Sequence, residues 1–217
     1  MKNDFRAVIF DLDGTLIDSL GVWAEVDRKC LEKHGIPPTP DYTLAVSSMS
    51  FRESAEYTIR RYGFSETPEE LMAEWMCMVE DEYAHHIALK PFVREFLNHL
   101  TAKGVKLAVA TASPPKLYGP VLKNNGVYDY FDAFACVEEV ERGKGFPDVF
   151  LLAASRLGVR PCDCLVFEDT LPGIRGAKAA GMTVIGIYDG SSQTEEAKMR
   201  AEADGCCKSF AELLPNT

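Results

Sequence analysis

Ala7-Val8-Ile9-Phe10-Asp11-Leu12-Asp13-Gly14-Thr15-Leu16 is the stretch that decides the fold. Its first four residues form a short uncharged apolar run, the pattern of a strand buried on both faces of a parallel sheet. The run leads straight into two carboxylates one residue apart and then a glycine. Side chains alternate along a strand with a period of two. In extended chain, Asp11 and Asp13 therefore fall on the same side, where they can share a metal or a phosphoryl group. Gly14 lets the backbone turn away close to a ligand. Asp-Gly-Thr is also ordinary turn chemistry, so the choice between turn and site rests on what the rest of the chain supplies.

Outward from this strand the texture is first helical. Asp18 or Ser19 can cap a helix running to about Lys33, stopped by Gly35-Ile36-Pro37-Pro38. Ser50-Phe51-Arg52-Glu53 reads as a capping box opening a helix that ends near Tyr62-Gly63, with a loop over 45–52 before it. Thr67-Pro68-Glu69-Glu70 repeats the device, with proline at the first helical position, for a helix to about His86. From Pro91 helices alternate with short apolar strands. The pattern predicts helices over 91–103, from Ser113-Pro114-Pro115 to near Asn125, over 147–157 and over 173–180. It predicts strands over 106–110, 133–136, 164–167 and 183–187, then a short strand near Cys206 and a helix over 210–214. Such alternation implies α/β architecture: a Rossmann-like doubly wound parallel sheet, helices on both faces, ligands at the carboxyl ends of its strands. The expected organisation is a core formed by residues 1–17 and 89–217, interrupted by an all-helical cap domain over 18–88.

Composition narrows the function classes. A chain of 217 residues can bury one substantial core with a large insertion, or two modest domains. A formal net charge of −10 argues against nucleic-acid or anionic-membrane partners. It leaves small anionic substrates open, because a local cation and a lysine bind phosphate inside an acidic protein. No apolar run approaches the roughly 18 residues of a membrane span, and Met1-Lys2-Asn3-Asp4-Phe5 lacks a signal-peptide pattern, so a cytoplasmic setting is expected. The seven cysteines show no Cys-x-x-Cys spacing and read as reduced thiols. The four histidines form no zinc-type pair.

In a doubly wound sheet, the residues just after each strand meet at the site. Here they are Asp11 and Asp13, then Thr111 and Ser113, then Glu168 and Asp169, with Lys144 in the loop before the helix at Pro147. Each has an ordinary reading as a cap or a polar loop residue. Four carboxylates, two hydroxyls and a lysine at strand ends are hard to explain jointly by capping. With its motifs in order, the chain resembles the haloacid dehalogenase superfamily, in the helically capped phosphatase and β-phosphoglucomutase-like branch. Asp11-Leu12-Asp13-Gly14-Thr15 looks like the first family motif, Thr111 the second, Lys144 the third and Glu168-Asp169 the fourth.

The resemblance implies a Mg²⁺-dependent phosphoryl-transfer enzyme acting on a small phosphorylated metabolite. Asp11 would be the nucleophile and Asp13 the general acid and base, a role worth about 10² to 10⁴. Mg²⁺ would sit on Asp11, the Asp13 backbone carbonyl and Asp169, with Glu168 in or near its shell. Thr111, Ser113, Lys144 and backbone amides, including that of Gly14, would hold the transferring oxygens. Four carboxylates against Mg²⁺ and one lysine leave −1, which asks for one shared proton, assigned to Asp13. From the cap, Trp23, Phe51 and Arg52 are candidate substrate contacts, although aromatic residues at helical spacing are more often core. Pro114 stands where the mutases tend to carry lysine, and Phe51 where they tend to carry arginine. Trp23 also lacks their preceding histidine, which ranks water above a sugar hydroxyl as acceptor. A haloacid dehalogenase would not need Asp13 or the Glu168-Asp169 pair. A phospho-accepting receiver would lack the cap insertion.

Overall fold

The computed structural model describes residues 5–46, 49, 51–188 and 193–215. These fall into two compact units, one within Met1–Ser19 and Ile87–Thr217, the other Leu20–His86. In the first unit, β1 (Ala7–Phe10), β2 (Lys106–Thr111), β3 (Ala133–Cys136), β4 (Cys164–Glu168), β5 (Thr183–Ile187) and β6 (Gly205–Cys207) form one sheet in the order β3-β2-β1-β4-β5-β6. Every pairing is parallel. β1 is central, with Ile9 opposite Ala108 of β2 on one side and Val166 of β4 on the other. The order reverses direction between β1 and β4, and that switch point is where doubly wound sheets open a ligand crevice.

The apolar run of β1 is uninterrupted because both of its faces are covered. Ala7 and Ile9 join Ala108, Val166, Phe150 and Ile174 in one buried cluster. Phe10 points the other way and stacks on Phe167 at a centroid distance of 5.3 Å, with Phe96 and Phe131 edge-on at 6.3 and 6.2 Å. The first unit's helices are α5 (Val93–Ala102), α6 (Pro115–Asn124), α7 (Asp148–Leu157), α8 (Leu171–Ala179) and α9 (Gln193–Glu202). The sequence pattern did not anticipate α9. The helix expected over 91–103 begins at Val93, since Phe92 ahead of it is left-handed with φ 64°.

The second unit holds α1 (Val22–Lys33), α2 (Pro40–Val46), α3 (Phe51–Tyr62) and α4 (Pro68–His85). The capping box at Thr67 is formed: its hydroxyl accepts from the Glu70 N–H at 3.3 Å, and the Glu70 carboxylate accepts from the Thr67 N–H at 2.8 Å. Leu71, Trp75 and Val79, each one turn apart, bury the inner face of α4. The Ser50 cap lies outside the described residues. Neither Asp18 nor Ser19 caps α1, which starts after Gly21 with no side-chain cap. The loop expected over 45–52 is partly helical, because α2 runs to Val46. All seven cysteines are free thiols. Among the described residues, no helix is long and apolar enough to cross a membrane.

Candidate active site

Asp11 is the first residue beyond β1, and its N–H donates to the Phe167 carbonyl at 2.9 Å. That bond extends the β1–β4 pairing by one step and holds the buried Asp11 carboxylate at the carboxyl edge of the sheet. Glu168, the last residue of β4, is wholly buried, and Asp169 follows it. Lys144, from the segment between β3 and α7, reaches both acids. Its Nζ is ion-paired to Asp11 Oδ1 and lies 2.7 Å from Glu168 Oε2. The other Glu168 oxygen accepts from the Thr170 hydroxyl at 2.7 Å and the Thr170 N–H at 3.1 Å. Thr170 in turn caps α8 by accepting from the Gly173 N–H at 3.2 Å.

Two glycines make this closeness possible. A Cβ on Gly173 would lie 2.1 Å from Glu168 Cδ, and one on Gly176 would lie 2.1 Å from the Lys144 carbonyl oxygen. The first turns of α8 can therefore lie against both charged residues only while those positions lack side chains.

Asp13 is held differently. Its Oδ1 accepts from the Ser19 hydroxyl at 2.8 Å and its Oδ2 from the Ser113 hydroxyl at 2.7 Å. The Ser113 N–H donates to Thr111 Oγ1 at 2.9 Å, so β2 and the turn after it form one hydrogen-bonded unit with Asp13. Gly14 turns the chain with φ 77°, and its carbonyl accepts from Lys90 Nζ at 2.7 Å. The strand-like segments around Ile17 and Leu89 pair antiparallel, fastened by Asp18 N–H to Ala88 O at 3.0 Å and Lys90 N–H to Leu16 O at 2.9 Å.

Asp11, Glu168 and Asp169 each offer a carboxylate oxygen within 4.8 Å of the others. Burial, then the charge of Glu168, pushes the Asp11 carboxyl well above the usual range, with Lys144 opposing. Burial and Glu168 likewise push Asp169 up to about 6. Burial alone would lower the Lys144 ammonium, but Asp11 and Glu168 together hold it above its ordinary value. Lys144 and the Thr170 donors satisfy Glu168, whereas the Asp169 side chain meets the Thr15 hydroxyl at 3.5 Å and the Asp11 carboxyl. Crowded hard oxygen donors with one lysine among them fit a small divalent cation, which would relieve the repulsion that raises Asp11 and Asp169.

The structure thus brings Asp11, Lys144, Glu168 and Asp169 into one group and Asp13, Ser113 and Thr111 into another. The charge of Asp13 also reaches Asp11. In the second unit, Trp23 and Phe51 meet edge-on at 5.4 Å. Arg52 is exposed and paired with Glu69 at 2.7 Å. Sequence reasoning missed Ser19 as a partner of Asp13, since a serine ahead of a helical pattern reads first as a cap. It also missed Lys90, where no spacing signal exists, and the grip of Thr170 on Glu168.

The chain is similar to known proteins. A family profile for haloacid dehalogenase-like hydrolases matches residues 5–181. The "Phosphorylated carbohydrates phosphatase" of Thermotoga maritima is 31% identical over 177 residues, covering 82% of each chain. The "Bifunctional riboflavin kinase/FMN phosphatase" of Arabidopsis thaliana is 32% identical over 195 residues, 89% of this chain and 51% of that one, so this chain spans about half its length. A crystal structure from Thermotoga maritima, provisionally described as a β-phosphoglucomutase, superposes with TM-score 0.86 at 29% identity, covering 94% of both chains.

Proposed function

The chain belongs to the haloacid dehalogenase-like hydrolases, and we propose that it is a Mg²⁺-dependent phosphatase that hydrolyses a small phosphorylated metabolite, of the sugar-phosphate kind, through an aspartyl phosphate. The observation that carries this reading is the division of labour between two carboxylates two residues apart. Asp11 is gripped by Lys144, and Asp13 is oriented by the hydroxyls of Ser19 and Ser113. The names of the relatives, phosphatases of phosphorylated carbohydrates and of FMN, support the same substrate class.

Asp11 attacks the phosphorus while the bond to the leaving oxygen breaks. Asp13 gives that oxygen its proton. Asp13 then takes a proton from water as the water oxygen bonds to phosphorus and the acyl phosphate bond of Asp11 breaks, releasing inorganic phosphate. Thr111 accepts from the Ser113 N–H and keeps its own proton to donate to a transferring oxygen. Lys144 holds Asp11 in line and offsets charge on the same oxygens. Ser113 orients the acid. Asp11, Asp169, the Asp13 backbone carbonyl and, directly or through water, Glu168 would hold Mg²⁺, which when bound neutralises charge developing on the phosphoryl group. Hydrolysis of phosphate monoesters needs enhancements up to about 10²¹, and dividing the reaction at a covalent intermediate lowers each barrier. Seven reduced thiols suit a cytoplasmic setting.

A β-phosphoglucomutase-like reaction is the second reading, favoured by the 0.86 TM-score neighbour. It uses the same phosphoenzyme with a sugar hydroxyl in place of water. A screen of phosphorylated metabolites with Mg²⁺, scoring free phosphate and isomerised sugar phosphate together, separates the two. Free phosphate is the expected product. Exclusive isomerisation of β-glucose 1-phosphate would overturn the assignment.

A further inference from the structure

The second unit encloses a cavity of about 350 Å³ between α1, α2, α3 and α4. Its walls include three aromatic rings: Phe51 sits 5.4 Å from Trp23 and 5.7 Å from Trp75, centroid to centroid. Val46 and Met49 add apolar surface. The volume lies in the range of small-molecule sites, about 300–1,000 Å³. Among the described residues that line it, Asp27 is the one ionisable group.

Asp27 has one long hydrogen bond among the described residues, from Tyr42. Its neighbour Tyr42 has a single O–H, 3.3 Å from Asp27 Oδ1 and 2.8 Å from Thr58 Oγ1. Tyr42 donates to Asp27 over that long 3.3 Å, and Thr58, which also reaches the Ser54 carbonyl at 2.7 Å, is the other partner of the Tyr42 hydroxyl. No cation pairs with Asp27 among the described residues. Arg28, the next residue, is taken by Glu25 and Glu32, Lys29 by Glu82, and Arg61 by Asp41. Burial pushes the Asp27 carboxyl up to about 6, which still leaves it ionised at neutral pH. An anion partly removed from water, without a counter-charge and beside three aromatic rings, is an incomplete arrangement.

We propose that this cavity binds an ammonium-bearing organic molecule, with the cation against the Asp27 carboxylate and the faces of Trp23 and Phe51, and the carbon skeleton along Val46 and Trp75. A neutral apolar occupant would fill the space but leave Asp27 uncompensated. An anion would meet its repulsion. An ammonium group supplies both the missing charge partner and the cation–π contact that aromatic cages use for such ligands. Phosphate chemistry plays no part in the argument, so it stands or falls separately from the phosphatase reading.

The chain has two tryptophans and both line the cavity, so intrinsic fluorescence reports its occupancy. Choline and benzylammonium are titrated into the full chain at neutral pH, followed by fluorescence and calorimetry, beside choline's uncharged carbon isostere and benzyl alcohol. The cations are expected to bind at least about tenfold more tightly than their isosteres. Asp27→Asn should bring the cations down to the level of the neutral compounds. Equal binding of cation and isostere, undiminished choline binding by Asp27→Asn, or no binding by any of the four up to about 10 mM overturns the proposal. If Asp27→Asn does not fold, the isostere comparison on the unaltered chain decides alone.

Discussion

Gly173→Ala sets two physical effects against each other, and the geometry says which one wins. Gly173 lies in the first turn of α8, where alanine's greater helix propensity alone would stabilise the protein by about 1 kcal/mol. The added Cβ, however, would stand 2.1 Å from Glu168 Cδ and 2.3 and 2.5 Å from its two carboxylate oxygens. Glu168 must retreat by about 1.4–1.9 Å to reach ordinary contact distance. It is wholly buried, so there is no solvent to retreat into. Retreat breaks the bonds to the Thr170 hydroxyl at 2.7 Å, the Thr170 N–H at 3.1 Å and Lys144 at 2.7 Å. Disrupting a buried ion pair costs about 3–5 kcal/mol. Set against the propensity gain, the net destabilisation is about 2–4 kcal/mol.

Urea unfolding followed by circular dichroism at neutral pH measures this, with Gly119→Ala as the control. Gly119 is inside α6, and a Cβ there would meet nothing within 4 Å, so that variant should keep its stability or gain up to about 1 kcal/mol. Phosphate release by Gly173→Ala should fall at least about tenfold, because Lys144 loses one of the two acids that fix it. A Gly173→Ala protein as stable and as active as the unaltered chain would refute the claim that α8 is docked onto Glu168.

Asp13→Asn keeps the shape but removes the transferable proton, and turnover of substrates with poor leaving groups should drop at least about 10²-fold; near-normal turnover would remove Asp13 from the acid role. Lys144→Met leaves Asp11 and Glu168 buried without their cation. It should cost about 3–5 kcal/mol in urea unfolding, and millimolar Mg²⁺ should restore part of the loss by binding the folded state; the same deficit with and without Mg²⁺ would argue against a shared site. Asp27 titrates at about 6 when folded and near about 3.9 unfolded. The folded chain therefore holds the extra proton between those values, and stability falls as pH rises through that window. Relative to the unaltered chain, Asp27→Asn should gain stability from about pH 4 to about pH 6 and then level off. A flat difference across the window would show that the carboxyl is not desolvated.

The parallel sheet was legible because its strands are short apolar runs punctuated by glycine, proline and acids, and the 183–187 and 133–136 strands appear with the bounds expected. Helices that bury little were not legible. In α9, the sequence Gln193-Thr194-Glu195-Glu196-Ala197-Lys198-Met199-Arg200-Ala201-Glu202 carries a single large apolar side chain, Met199, which leaves no periodic stripe to detect. The seven-residue α2 is too short for a period to register. At the site, residue types at strand ends were enough to nominate Asp11, Asp13, Lys144, Glu168 and Asp169, because strand ends converge in any doubly wound sheet. Which hydroxyl serves which acid depends on tertiary reach. Ser19 lies six positions from Asp13 and Ser113 one hundred, yet both hydroxyls donate to its carboxylate. The same is true of Gly173 and Gly176, which look like ordinary helix glycines until Glu168 and the Lys144 carbonyl are placed beside them.

The covalent role of Asp11 is tested most directly by trapping the intermediate. A rapid acid quench during Mg²⁺-dependent turnover of the best substrate, then borohydride reduction and peptide mass spectrometry, identifies the residue that carried an acyl phosphate. Reduction to homoserine at position 11, absent without substrate and absent in Asp11→Asn, is the predicted result. Steady phosphate release with no labelling at Asp11, or sustained turnover by Asp11→Asn, would contradict the account.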